Sequence, residues 1–288
     1  MFQYVKNVFG VKKGSGQLMK ITNLDPKKYK RFFAFGCSNT SYNWLTWADI
    51  IGNDIEFYEN WAAQGAGNYF IFNSVIEADA RYNFNKDDLV IVSWSTKERE
   101  DRYRNNAWLH DTPVTVEKTY GKEWVKKFAL DFRGYLIRDL SFIKAIQTIL
   151  INKDCDWANL SWNELIGDSK MQGVVNSSSD KESLLKLWRE ACEEVYNGNQ
   201  IRDFFEHKDV IKVYQDVFTN ISGVYRWFES DCIVNQVATR SDGHARPLEA
   251  LAFLDWVWPN NTISDNTRKY VEYCEKSGTL ERQSVIRL

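Results

Sequence analysis

Long apolar runs are missing from this sequence. No stretch of about 18 uncharged apolar residues, the length a helix needs to cross a bilayer, occurs in it, so no membrane partner is expected. The opening MFQYVKNVFGVKKGSG is interrupted by lysines and holds no continuous apolar core, so no signal peptide is read there. Cysteine is sparse and scattered. Cys37, Cys155, Cys192, Cys232 and Cys274 are odd in number and lack CxxC spacing, which fits reduced thiols in a cytosolic setting better than a disulfide framework or a zinc site. Imidazole comes from His110, His207 and His244 alone. A formal net charge of -2 excludes a polyelectrolyte binder as a whole, and there is no internal repeat.

What the chain does have is core-forming material. It is 44% hydrophobic and 26% charged, the balance of a globular protein with a real core. Twelve tryptophans stand out (12 Trp in 288 residues); sugar-binding platforms use such rings, and dense core packing is the commoner reason for them. Charge is uneven. Residues 1–31 hold Lys6, Lys12, Lys13, Lys20, Lys27, Lys28, Lys30 and Arg31 against Asp25 alone. Such a segment is either an arm for an anionic partner, nucleic acid included, or a solvated extension, and the second reading is preferred. The division expected is a basic extension over 1–30 and a single α/β domain over 31–288 with a helical insertion at about 155–225.

The pattern along the chain supports that class. Residues 32–35 read as a short buried strand, and Trp44, Trp47, Ala48 and Ile51 follow at helical spacing with Gly52 as the stop. DIEFYENW alternates like a second strand. QGAGN is a glycine loop before the helical stripe of Ile71, Phe72, Val75 and Ile76. DDLVIVSW is a continuous apolar run bounded by acids, the mark of a strand covered on both faces. Strand, helix, strand, helix, strand predicts a parallel sheet with helices on both sides. Further on, KEREDRYRNN reads as a loop or exposed helix start, 121–148 as helical, TILINK as a candidate fourth strand, and 160–220 as a helical insertion or cap. A helix is expected to start near Pro247.

Chemistry-bearing residues gather at one strand end. Gly36-Cys37-Ser38 follows the first strand, where open parallel sheets place their ligands. A serine there is either a helix N-cap or a nucleophile beside free backbone N–H groups that can hold a developing oxyanion. A nucleophilic hydroxyl needs a base. His207 sits in the charged segment FFEHKD, a poor setting for one, whereas His244 follows Asp242 in a glycine-containing loop where the acid could orient the ring. His110-Asp111 is a second such pair, read as lying in a loop away from the motifs. Cys37 alternates away from Ser38 into the core. Arg99, Arg102 and Arg104 interleave with acids, as ordinary surface pairs do.

Four stretches together resemble the SGNH (GDSL-type) hydrolases, with wording closest to SGNH-like proteins of tailed bacteriophages. FFAFGCSNT is similar to the first block of that family, NWAAQGAGN to the second, DDLVIVSWSTKER to the third and SDGHARP to the fifth. The resemblance implies a doubly wound three-layer α/β/α fold of flavodoxin-like type and a serine esterase acting on acyl or acetyl esters, with a carbohydrate or small molecule as the acylated partner. It assigns Ser38 as nucleophile, His244 as base and Asp242 as the acid behind it. It places the N–H groups of Ser38 and Gly65 in the oxyanion hole and Trp94 and Arg99 at the substrate rim. It calls for no metal and no organic cofactor. Where the family has an oxyanion Asn, this chain has Trp94-Ser95-Thr96, so Thr96, Ser95 or Asn68 is left to donate. The acid and histidine are one residue closer than is usual, and Ala245 stands where a proline is common. The alternative is a structural or binding protein with a degraded site, such as a virion component contacting other virion proteins. The corresponding location is the host cytoplasm or the virion.

Overall fold

The computed structural model describes residues 20–95, 99–111, 120–124, 127, 132–161 and 244–277. Four parallel strands form the centre: β1 (Arg31–Phe35), β2 (Phe57–Asn60), β3 (Asp88–Trp94) and β6 (Asp156–Ser161), in the order β2-β1-β3-β6. A separate antiparallel hairpin joins β4 (Glu100–Arg104) to β5 (Ala107–Asp111). Helices α1 (Trp47–Gly52), α2 (Asn68–Tyr82), α3 (Phe132–Asn152), α4 (Pro247–Val257) and α5 (Asp265–Ser277) complete the described elements, with short helical turns at Pro26–Lys28 and Lys122–Trp124.

Strand alternation sorts the apolar side chains onto two faces. Phe32, Ala34, Leu89, Ile91, Ala158 and Leu160 face α1, α4 and α5. Phe33, Phe35, Val90, Val92, Trp94 and Trp157 face α2 and α3. All seven residues of β3 are buried, as a strand covered on both sides must be. The result is the three-layer α/β/α fold. Among the described residues, no helix is long and apolar enough to cross a membrane.

Several expectations need correcting. TILINK is not a strand: α3 runs unbroken to Asn152, because Ile146 and Leu150 extend the buried stripe begun by Leu140 and Ile143. The fourth strand is Asp156–Ser161, so the first part of the segment expected as a helical insertion from about 155 belongs to the sheet. The remainder, from 162 to 243, lies outside the described residues, as do residues 1–19 and His207. Residues 20–30 are not a solvated extension. Ile21, Leu24 and Tyr29 are buried in the core, and the Lys20 N–H donates to the Trp157 carbonyl at 2.9 Å. EDRYRNNAWLHD is a hairpin, not a loop or helix start. Asn105 and Asn106 both take left-handed angles (φ 53° and 60°), the two-residue turn that asparagine tolerates and that matches strand twist.

Candidate active site

The chain leaves β1 towards β2 on one side and later returns to β3 on the other, and in such sheets ligands sit beyond the strand ends at this reversal. Gly36, Cys37 and Ser38 occupy that point. Gly36 leaves no room for a side chain: a Cβ there would stand 2.1 Å from Thr40 Oγ1 and 3.1 Å from the Ser93 carbonyl. The Cys37 carbonyl accepts the N–H groups of Thr40 at 2.9 Å and Ser41 at 3.0 Å, closing a tight turn over Ser38. Cys37 itself is buried, as its alternation from Ser38 implies. The helix expected immediately after Ser38 begins only at Trp47, and its N-cap is Thr46, so Ser38 is not a helix cap. Two donors fix the intervening turn, Thr46 Oγ1 and Asn60 Nδ2, each 2.7 Å from the Thr40 carbonyl.

Ser38 and His244 line one crevice, together with Asn39, Tyr42, Thr46 and Trp47. The His244 ring lies flat on Tyr42, centroids 3.8 Å apart and planes 14° from parallel. Trp44 packs edge-on against Tyr42 at 4.6 Å, and its Nε1 donates to the Ala245 carbonyl at 2.7 Å. The loop after Ser38 therefore grips the segment that carries His244. Ser241, Asp242 and Gly243 lie outside the described residues, as does Thr96.

The Gly65 loop stands on the other side of Gly36. Past β2, the Trp61 N–H donates to the Ala34 carbonyl at 2.8 Å and the Ala63 N–H to the Gly36 carbonyl at 3.3 Å, so the loop leaves the sheet beside the Ser38 turn. Gly65 has φ +80°, a conformation that favours glycine. Gln64 Nε2 reaches Asn43 Oδ1 at 3.4 Å, linking the two loops.

Three assigned residues take other places. Asn68 is fully buried and both ends of its amide are engaged. Oδ1 accepts the Ser95 N–H at 2.7 Å, and Nδ2 donates to Asp139 Oδ2 at 2.7 Å and to the Ser95 carbonyl at 3.1 Å. It is a strut that ties the start of α2 to α3 and to the end of β3, not an oxyanion donor. Trp94 is fully buried and donates from Nε1 to Asn159 Oδ1 at 2.9 Å, so it belongs to the core and not the substrate rim. Arg99 is partly buried and turned inward, with Nη1 on the Ala66 carbonyl at 2.7 Å. Ser95 is buried, and its Oγ has no partner among the described residues.

Two buried acids were not picked out from the sequence. Asp139 sits behind Asn68, where burial pushes its carboxyl up to about 6 against the opposing pull of Arg138 and the Asn68 bond. Asp101 lies directly across the hairpin from His110, and His110 Nδ1 is 2.9 Å from Asp101 Oδ1. His110 thus has a cross-strand partner in Asp101. A turn at Asn105-Asn106 pairs 101 with 110 by simple register, so the signal was present in the sequence.

The fold and this crevice define a class: a doubly wound α/β protein in which a serine and an imidazole line one crevice at the topological switch point. No protein-family model matches the chain, and no curated protein matches its sequence. Among solved structures it is similar to the crystal structure of the protein YxiM from Bacillus subtilis, at 13% identity and a TM-score of 0.31, over 87% of this chain and 57% of that one.

Proposed function

We propose that the protein is a serine-dependent ester hydrolase of the SGNH type. The observation that carries this reading is the crevice shared by Ser38 and His244 at the carboxyl end of β1. Ser38 Oγ attacks the ester carbonyl as His244 accepts the hydroxyl proton. The oxygen that becomes negative is met by the N–H groups of Gly65 and Ser38. Collapse of this intermediate releases the alcohol, which takes the proton from His244, and leaves an acyl group on Ser38. Water, deprotonated by the same imidazole, then frees the acid and regenerates the serine. Asp242 is assigned to orient the ring. The acylated partner is read as a carbohydrate or small molecule, from the family resemblance and the aromatic content.

A second reading is a binding or structural protein that keeps the fold, a virion component among the options. It is favoured by Asn68, whose engaged amide leaves the oxyanion site without a side-chain amide from that position. Loss of one such donor typically costs ~10²- to 10³-fold in rate. Hydrolysis of p-nitrophenyl acetate by wild type and Ser38→Ala separates the two. Turnover above background in wild type alone, with fluorophosphonate labelling that needs Ser38, supports the esterase. Equal hydrolysis by both proteins ends it.

A further inference from the structure

Asp101 is 2% exposed, yet three donors meet on its two oxygens. Oδ1 accepts the Gly67 N–H at 2.8 Å and faces His110 Nδ1 at 2.9 Å, while Oδ2 accepts the Phe70 N–H at 2.9 Å. Carboxylate oxygens accept, so Nδ1 carries the ring proton. The two amides belong to the turn that follows Gly65 and opens α2. The fit is close: a Cβ on Gly67 would stand 2.6 Å from Asp101 Oδ2 and 2.8 Å from Arg99 Cβ. His110 completes the grip from the facing strand, its Cβ 3.4 Å from where a Gly65 Cβ would lie and its ring edge-on to Phe70 at 4.7 Å. Arg99 holds the Ala66 carbonyl between them.

Capping a helix does not require this much. Water or one exposed side chain satisfies the first N–H groups of most helices. Here a carboxyl group and an imidazole are taken out of solvent, at 0% and 15% side-chain exposure, to hold one short turn from the hairpin side. We propose that Asp101 and His110 are positioning residues of the candidate site: together they fix the backbone of the Gly65 turn so that its N–H is aimed at the substrate oxygen. This rests on the esterase reading for its catalytic consequence, though not for the grip itself. A displacement of about 1 Å at such a donor can cost ~10²-fold in rate.

The test uses Asp101→Asn, His110→Ala and His110→Asn; the last keeps an N–H donor where Nδ1 stood. Amide hydrogen exchange at residues 65–70 is followed beside p-nitrophenyl acetate kinetics and thermal melting. Asp101→Asn and His110→Ala are expected to speed exchange in this turn at least ~10-fold. They are also expected to lower kcat ~10- to 100-fold with KM within about two-fold of wild type. His110→Asn should recover most of both losses. Unchanged exchange in Asp101→Asn, or His110→Asn no better than His110→Ala, overturns the proposal even if esterase activity is real. Expected exchange behaviour in a protein without Ser38-dependent hydrolysis upholds the grip and removes the esterase reading instead. Should Asp101→Asn fail to fold, the two His110 variants decide, because they leave the carboxyl group in place.

Discussion

At the amino ends of the strands, Arg31 holds Asp88 through two bonds, Nε to Oδ1 at 2.6 Å and Nη2 to Oδ2 at 2.7 Å, and Lys28 and Tyr29 meet on Asp156 at 2.9 and 3.0 Å. Around Ser38, at the carboxyl end of β1, the connections are made by carbonyls, amides and stacked rings, and Ser38 and His244 share a crevice there. The first end ties neighbouring strands together with charge. The second shapes a surface with groups that keep one geometry. Residues of equal burial should therefore behave oppositely under mutation: stability should suffer at one end and chemistry at the other.

Ser38→Ala tests that contrast most severely. On the esterase reading proposed above, removing the nucleophile costs ~10⁴-fold or more in kcat. The expected result is hydrolysis at background with an unchanged melting temperature, measured by p-nitrophenyl acetate turnover and calorimetry. A variant that unfolds would break the contrast. Arg31→Met should do the reverse. It leaves Asp88, whose side chain is fully buried, without its cation and should cost roughly 3–5 kcal/mol in urea denaturation, with kcat unaffected.

Asp139 sharpens the comparison through pH. Its carboxyl has an ordinary value of 3.8 and is pushed up to about 6 in the fold by burial. Between those values the folded protein holds the proton that the unfolded chain has lost. Stability from this group is therefore greatest below pH 4 and falls as pH rises to 6, by up to about 3 kcal/mol. Urea titrations across that window should show the decline in wild type and a shallower one in Asp139→Asn. The smallest effect is expected from Lys30→Ala. Its bond to Asp87 is solvent-exposed, and neither melting temperature nor turnover should move measurably.

The central strands and the helix after His244 were readable because each carries one unambiguous signal. DLVIVSW has the unbroken apolar run of a doubly covered strand, and Pro247 marks a first helical turn. Misreadings arose where a local preference lost to packing. The β-branched run in TILINK looks like a strand, yet Ile146 and Leu150 lie on the buried face of a long helix. The charges of EDRYR hide a hairpin because one face of that ribbon carries exposed charge while Asp101 faces inward. At the candidate site, motif order pointed to Gly36, Ser38 and Gly65, and the fold sets their turns side by side beyond β1. The fates of Asn68, Trp94 and Arg99 were not, since a side chain's direction depends on partners such as Asp139, Asn159 and Ala66, each distant from it in sequence.

The Thr40 carbonyl is held by donors from two other elements, Thr46 at the cap of α1 and Asn60 at the end of β2. Thr46 also lines the crevice, so a ligand reaching it meets one side that is already set. Little segmental freedom is left there to be lost on association, and titration calorimetry of a tight inhibitor should register a heat-capacity change no larger than that of the apolar surface the inhibitor and the crevice bury against each other.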